Sequence, residues 1–409
     1  MELLTYTLDS PDPTKPGTFE IQNVIENFES LIWTERYYGD SECQITFPID
    51  LDTATKLPLD IFLGIEDSPE LLMLDTIQIE NGRMVAKGIS VLTWLNNRFV
   101  RTSKLHKKLT DKFNGSPGEL LWLLLQNAVT VDSVYLNDPD SMDIPQKYLD
   151  KLKIPEIGLD DFDLSDDPVT IKVSFAELYD EMRKIAEAYK IGMQIYFQAR
   201  TNPTFDPDTD VPLLFRSYKG LDKTHNQDPD SDDRNEIVRF SAELNSLNNL
   251  RQLWSKSIYK NLAFAFASNI GFDLGTDSGP HAGVAFVDDT DDPGIGSGFA
   301  CRAMQVFADN IRGYDSPTTD DKNDLYAMLA NDAKKELAKR ILIQVVDGDI
   351  SPTNMFEYGR DYNLGDFVEI EGVNGVVSVT QVTEHIISEE ASGDTAAVTL
   401  GSNEADLSA

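Results

Sequence analysis

Asn81-Gly82 stands between two runs, Met73 to Glu80 and Met84 to Val91, in which apolar and polar residues alternate. A two-residue Asn-Gly turn takes positive φ, and its twist matches that of two paired antiparallel strands. The pattern commits this stretch to a β-hairpin with one buried face. Another hairpin precedes it. Leu31 to Tyr38, a Gly39-Asp-Ser turn and Cys43 to Pro48 place β-branched and aromatic residues in alternation with polar ones. Two hairpins within the first hundred residues predict a small antiparallel barrel or sandwich.

From Thr93 the character changes. Ser116-Pro-Gly-Glu119 is a capping-box pattern with proline at the first helical position, and Leu120, Leu121, Leu124 and Leu125 supply a buried stripe. Ser174-Phe-Ala-Glu177 repeats the box before Leu178, Met182, Ile185 and Tyr189, with Gly192 expected to stop that helix. Residues 137–168 and 222–236 are acidic and read as loop or linker. Strands are expected at 193–197, 213–218, 236–240 and 255–267, then at 341–346, 367–370 and 376–382, with Asn374-Gly375 turning between the last two. One helix starts at the acidic run Thr319 to Asp324, buries Leu325, Met328, Leu329 and Leu337, and ends among Lys334, Lys335, Lys339 and Arg340, as its dipole favours. The expected organisation is mainly β with α+β parts. A discontinuous first β-domain takes 1–105 with 193–235, and a helical insertion takes 106–192. A second β-domain, 236–409, carries one helix and a long Gly- and Asp-rich loop at 269–300.

Charge restricts function. The 409 residues include 70 acidic and 35 basic side chains, a formal charge of −35 that would repel duplex DNA from any global basic surface. The longest apolar stretches, Leu120 to Leu125 and Leu262 to Ala267, fall far short of the roughly twenty residues a membrane helix needs, so no membrane insertion is expected. The first residues carry neither a basic n-region nor an apolar h-region, and no secretory signal is expected. A content of 41% hydrophobic and 9% aromatic residues is ample for a core, which argues against disorder. Cys43 and Cys301 read as free thiols of a reducing compartment.

Motifs for chemistry fail one by one. Calcium loops need glycine at position six and glutamate at twelve; after Asp228-Pro-Asp230-Ser-Asp232 those places hold Asp233 and Arg239, and after Asp206-Pro-Asp208-Thr-Asp210 they hold Val211 and Ser217. The four histidines, His106, His225, His281 and His385, form no HExxH, and no cysteine stands near one. Asp277-Ser-Gly-Pro280 lacks the second glycine of a serine-protease nucleophile segment, and Phe299 stands where Gly294-Ile-Gly296-Ser-Gly298 would need its third dinucleotide glycine. No catalytic, cofactor-binding or metal residue is expected. One segment opposes the global charge: Arg98, Arg101, Lys104, Lys107, Lys108 and Lys112 share fifteen residues with the single acid Asp111. Such a strip is a candidate subunit contact in a chain this acidic.

Five stretches carry a resemblance. Ser30-Leu-Ile-Trp-Thr-Glu-Arg-Tyr-Tyr38 with the Glu42 to Pro48 strand resembles the N-terminal signature of minor tail proteins of long, non-contractile-tailed bacteriophages. Gly88 to Leu95, Phe215-Arg-Ser-Tyr-Lys-Gly220, Ser255 to Leu262 and Tyr362-Asn-Leu-Gly-Asp-Phe-Val368 agree in order, so the likeness spans about residues 3–401. Gly271 to Ala300 departs from it and reads as an insertion.

The resemblance implies a hub protein of the tail tip or baseplate: two barrel-like antiparallel β-domains with a helical insertion, assembled as a homotrimeric ring. Such a ring joins the hexameric tail tube to a central tip and gates the DNA channel. The implied partners are two further copies, a tail-tube or distal tail ring protein, and central tip or fibre and tape-measure proteins. DNA would pass without specific binding, past carboxylates that repel phosphate. The implied location is the virion tail tip, assembled in the host cytoplasm, with no cofactor and no enzymatic activity. The alternative is a tail-tip host-surface binder or tail-associated hydrolase, which would need a compact acid pair or a groove of exposed aromatics.

Overall fold

A computed structural model of the chain describes residues 2–10, 15–48, 56–80, 82–100, 110–133, 136–137, 145–160, 162, 168–174, 176–207, 210–227, 234–241, 247–266, 283–286, 298–308, 319–340, 343–350, 356–371, 377–390 and 393–401. Seven strands open it: β1 Leu3–Asp9, β2 Thr18–Ile25, β3 Ser30–Arg36, β4 Glu42–Pro48, β5 Phe62–Ile65, β6 Leu72–Glu80 and β7 Arg83–Ser90. The hairpin read from Asn81-Gly82 is present. Glu80 pairs with Arg83, and Gly82 takes φ +78°; Asn81 lies outside the described residues. The β3–β4 hairpin also forms, Trp33 opposite Cys43. Its inward residues Leu31, Trp33, Ile45 and Phe47 are buried in one core with Leu3, Leu63 and Leu72.

The middle of the chain contributes β8 Thr110–Gly115, β9 Ile157–Leu159, β10 Val169–Ser174, β11 Gly192–Phe197 and β12 Leu213–Tyr218, with helices α1 Pro117–Val129 and α2 Leu178–Tyr189. Ser116 caps α1 as its sequence predicts, its Oγ accepting from Glu119 N at 3.2 Å, and Leu120, Leu121, Leu124 and Leu125 are buried. The second box does not cap. Ser174 is drawn into β10, where it pairs with Thr110, so α2 starts three residues later than a Ser174 cap would place it. Lys190, left-handed at φ 54°, ends α2, and Gly192 instead opens β11. The stretch read as loop at 137–168 holds helical turns at Gln146–Leu149 and Asp150–Leu152 and the strand β9, which runs parallel to β12 with Ile157 opposite Leu213.

The last part supplies β13 Arg239–Ser241, β14 Leu247–Ser255, β15 Leu262–Phe266, β16 Gly283–Phe286, β17 Ala303–Phe307, β18 Ile343–Ile350, β19 Phe367–Glu371, β20 Val377–Glu390 and β21 Gly393–Gly401, with helix α3 Thr319–Ala338. The run expected as one strand from Ser255 to Ala267 is divided. Ser255 Oγ accepts from Ser257 N at 3.2 Å, a local turn that competes with the ladder, and the chain resumes at β15. β15 and β17 pack Ala263, Ala265 and Val306 on Leu325, Met328 and Leu329 of α3. Within the loop read at 269–300, residues 283–286 are a strand on β15 and 298–300 a helical turn. The remainder, with His281 and Asp277, and the Asn374-Gly375 turn lie outside the described residues.

Strands from both ends of the chain share one open sheet among the described residues, in the order β14-β18-β21-β20-β3-β4-β7-β6-β5-β1-β2. The joint is β3 with β20, antiparallel from Ser30 opposite Glu390 to Arg36 opposite Glu384. The other end of β20 pairs with β19, which is parallel to β13.

Candidate functional site

Along β3, residues of one parity face inward: Leu31 and Trp33 are apolar, Glu35 is charged, and Tyr37 follows just past the strand. The apolar pair enters the N-terminal core, while Tyr37 enters a separate core with Phe240, Tyr362, Val368 and Val382. Glu35 stands between the two cores, 2% exposed, and is therefore a buried acid at a seam.

Tyr37 organises the seam. Its N–H donates to Thr383 O at 3.0 Å and its carbonyl accepts from Met193 N at 2.9 Å, tying β3 to both β20 and β11. Its hydroxyl lies 3.1 and 3.2 Å from the carbonyl oxygens of Lys190 and Tyr218, and Gly220 N donates to it at 3.3 Å. A Cβ on Gly192 or Gly365 would overlap the Tyr37 ring, and Gly365 also needs φ +90°. Asp366 closes the turn, its carboxylate accepting from Leu221 N at 2.7 Å and Asn363 N at 2.9 Å.

A polar cluster surrounds Glu35. Ser68 Oγ donates to Glu35 Oε1 at 2.5 Å and Tyr358 OH to Oε2 at 3.3 Å. His385, directly across the ladder on β20, stacks on Tyr358 with ring centroids 3.6 Å apart. Its Nδ1 lies 3.6 Å from Glu35 Oε2, too long for a hydrogen bond. Glu70, 3% exposed, accepts from Gln194 Nε2 at 2.9 Å, and Gln194 in turn accepts from Arg216 Nε and Nη2 at 3.0 and 2.6 Å. Burial first, then the Glu35 charge, pushes the Glu70 carboxyl up to about 8. Above these groups opens a cavity of about 820 Å³ lined by Glu35, Gln194, Arg216, Tyr358, Tyr362 and His385 among others. Both glutamates are engaged by internal hydrogen bonds.

Three of the stretches that carry the resemblance therefore meet here: Ser30 to Tyr38, Phe215 to Gly220 and Tyr362 to Val368. The cluster itself was missed from sequence. Its available signal was an acid, Glu35, at the same strand parity as Leu31, Trp33 and Tyr37.

The basic strip is placed only in part. Arg98 is committed to the fold, its Nε donating to Leu152 O at 3.2 Å and its guanidinium 4.9 Å from the Trp94 ring centre, and burial lowers its pKa. Lys112 stands on β8 opposite Lys172. Arg101, Lys104, Lys107, Lys108 and His106 lie outside the described residues. Among the described residues no group of three His, Cys, Asp or Glu side chains is placed to hold a metal ion, and no helix is long and apolar enough to cross a membrane. His225 Nδ1 is 2.9 Å from Glu369 Oε2, which Arg239 also binds. Cys43 and Cys301 are free, and burial pushes the Cys43 thiol up to about 12.

No curated protein sequence matches the chain. Three solved structures are similar to it at low identity. A 43 kDa tail protein of prophage MuSo2 from Shewanella oneidensis is 10% identical with TM-score 0.48, covering 98% of each chain. Prophage tail protein gp18 from Listeria monocytogenes EGD-e is 8% identical with TM-score 0.49, covering 100% of this chain and 96% of that one. A tail protein from Neisseria meningitidis MC58 is 12% identical with TM-score 0.48, covering 97% and 96%. One family accounts for nearly the whole length, matching residues 16–402, and the chain belongs to it: the siphovirus ReqiPepy6 Gp37-like proteins.

Proposed function

We propose that this chain is a structural protein of the phage tail, a homotrimeric hub at the tail tip that joins the tube to a central tip and gates the DNA channel. The observation that carries the reading is the single open sheet built from both ends of the chain. Among the described residues β2 pairs only with β1 and β14 only with β18, so the longest run of the sheet ends on two strands with a free edge, while β13, paired with β19, ends a side branch. Exposed apolar residues lie on both: Ile21 and Val24 on β2, and Trp254 on β14. Free edges are sites for pairing with another chain. Because the two edges differ, contact between β2 of one copy and β14 of the next is head-to-tail, and such contacts close into a ring when the rotation allows.

Three copies with two β-domains each, 1–105 with 193–235 and 236–409, offer six similar positions to a hexameric tube or distal tail ring. Threefold symmetry is left for a tip or fibre and the tape-measure protein. The charge of −35 suits a channel that DNA crosses without binding. Arg101, Lys104, Lys107, Lys108 and Lys112 are the proposed basic contact for an acidic neighbour, in a virion protein assembled in the host cytoplasm.

Mass photometry tests the reading. The purified chain, alone or with its neighbouring tail proteins, is expected to form trimers. Trimers should be lost in Ile21→Lys/Val24→Lys and in Trp254→Lys, with the far-UV circular dichroism of the monomer unchanged. Joint replacement of Arg101, Lys104, Lys107 and Lys108 by glutamate should stop assembly into tails. A chain that stays monomeric under every condition would sink the hub.

A further inference from the structure

We propose that the buried Glu35–Glu70–His385 cluster is a proton-operated clasp on the β3–β20 seam, firm while Glu70 holds its proton and weaker once it leaves. The inference is independent of trimerisation, since every group belongs to one chain.

The geometry sets up the device. The only direct strand pairing between the two halves of the large sheet, among the described residues, is β3 with β20, and Glu35 and His385 are opposite each other in that pairing. His385 is 5% exposed, and its Nδ1 has no hydrogen-bond partner among the described residues. That nitrogen faces Glu35 Oε2 across the seam at 3.6 Å.

The groups facing the pair come from every neighbouring element. The segment after β5 supplies Asp67, Ser68 and Glu70; Arg200 reaches Ser68 O at 2.9 Å. β11 brings Gln194, β12 brings Arg216 and Tyr218, and the segment before β19 brings Glu357, Tyr358, Tyr362 and Asp366. Two cations, Arg216 and Lys219, line the cavity; the Arg216 guanidinium is held by Gln194 Oε1 and lies 5.3 and 5.0 Å from the Tyr196 and Tyr218 ring centres. Burial, with the Glu35 charge beside it, favours the protonated form of Glu70.

The direction with pH follows from linkage. Glu70 keeps its proton in the closed seam up to about pH 8 and loses it in an opened one near the ordinary value of 4.5. Across that window the open form binds fewer protons, so raising pH favours opening; above about 8 both forms are ionised and the dependence ends.

Hydrogen exchange on the full chain tests this. After correction for intrinsic rates, and with β4–β7 amides as internal reference, opening at Thr34–Arg36 and His385–Ile387 should rise by up to about tenfold per pH unit between pH 5 and 8. In Glu70→Gln the slope should vanish. Carboxyl ¹³C titration of the unmutated chain gives a second readout that needs no variant: one glutamate should titrate above pH 7. Equal slopes in both proteins, or no glutamate titrating above pH 6, would overturn the proposal.

Discussion

Two charged, buried places join distant parts of the chain, and they solve the same problem differently. Between α2 and α3, Lys335 is buried with its Nζ 3.0 Å from Glu181 and 3.9 Å from Asp332, and Tyr189 OH donates to Asn331 at 3.0 Å. A cation sits between two acids. Burial would push the Lys335 proton off, but Glu181 and Asp332 outweigh it and raise its pKa. At the β3–β20 seam neutral donors hold the acids, Ser68 and Tyr358 on Glu35 and Gln194 on Glu70, and burial keeps the proton on Glu70. The difference teaches that a buried ion pair holds its strength over most of the pH range, whereas a buried acid pair makes its joint answer to pH.

The largest effect expected is from Lys335→Met, which turns the helix contact into a second acid pair. It should cost about 3–5 kcal/mol at neutral pH in urea unfolding. Part of that loss should return toward pH 5, because burial already pushes Asp332 up to about 6 in the presence of the lysine. A loss independent of pH would break the comparison.

Next comes Gly365→Ala, aimed at the backbone frame that the seam has and the helix contact lacks. Its φ of +90° and the approach of Tyr37 together should cost about 2–4 kcal/mol, with chemical-shift changes confined to Tyr37, Gly220 and β20. Smallest is Tyr37→Phe, expected to lose about 1–3 kcal/mol in the same assay because the Gly220 N–H and two carbonyls lose their shared partner. If Tyr37→Phe proved the more damaging of the two, the hydroxyl and not the close packing would be what frames the seam.

Much of the fold was legible because much of it is decided locally. A cap at Ser116, a turn at Gly82 and strand alternation in β3 and β4 depend on residues within a few positions of one another. Reading failed where distant chain intervened. Thr110 claimed Ser174 for a strand, and Leu213 drew Ile157 out of an acidic loop into a sheet.

The candidate site shows the same division. From sequence alone, Glu35 shares the inward face with Leu31, Trp33 and Tyr37, since side chains of one parity point one way. That its opposite number is His385, that Glu70 lies beside it, and that the longest run of the sheet leaves β2 and β14 at its ends were decided by tertiary structure. The physical reason is that alternation specifies a face but not a partner. Pairing across some 350 residues is chosen by the whole set of packed strands, and burial, which converts an ordinary glutamate into one that holds its proton near pH 8, exists only once those strands have met.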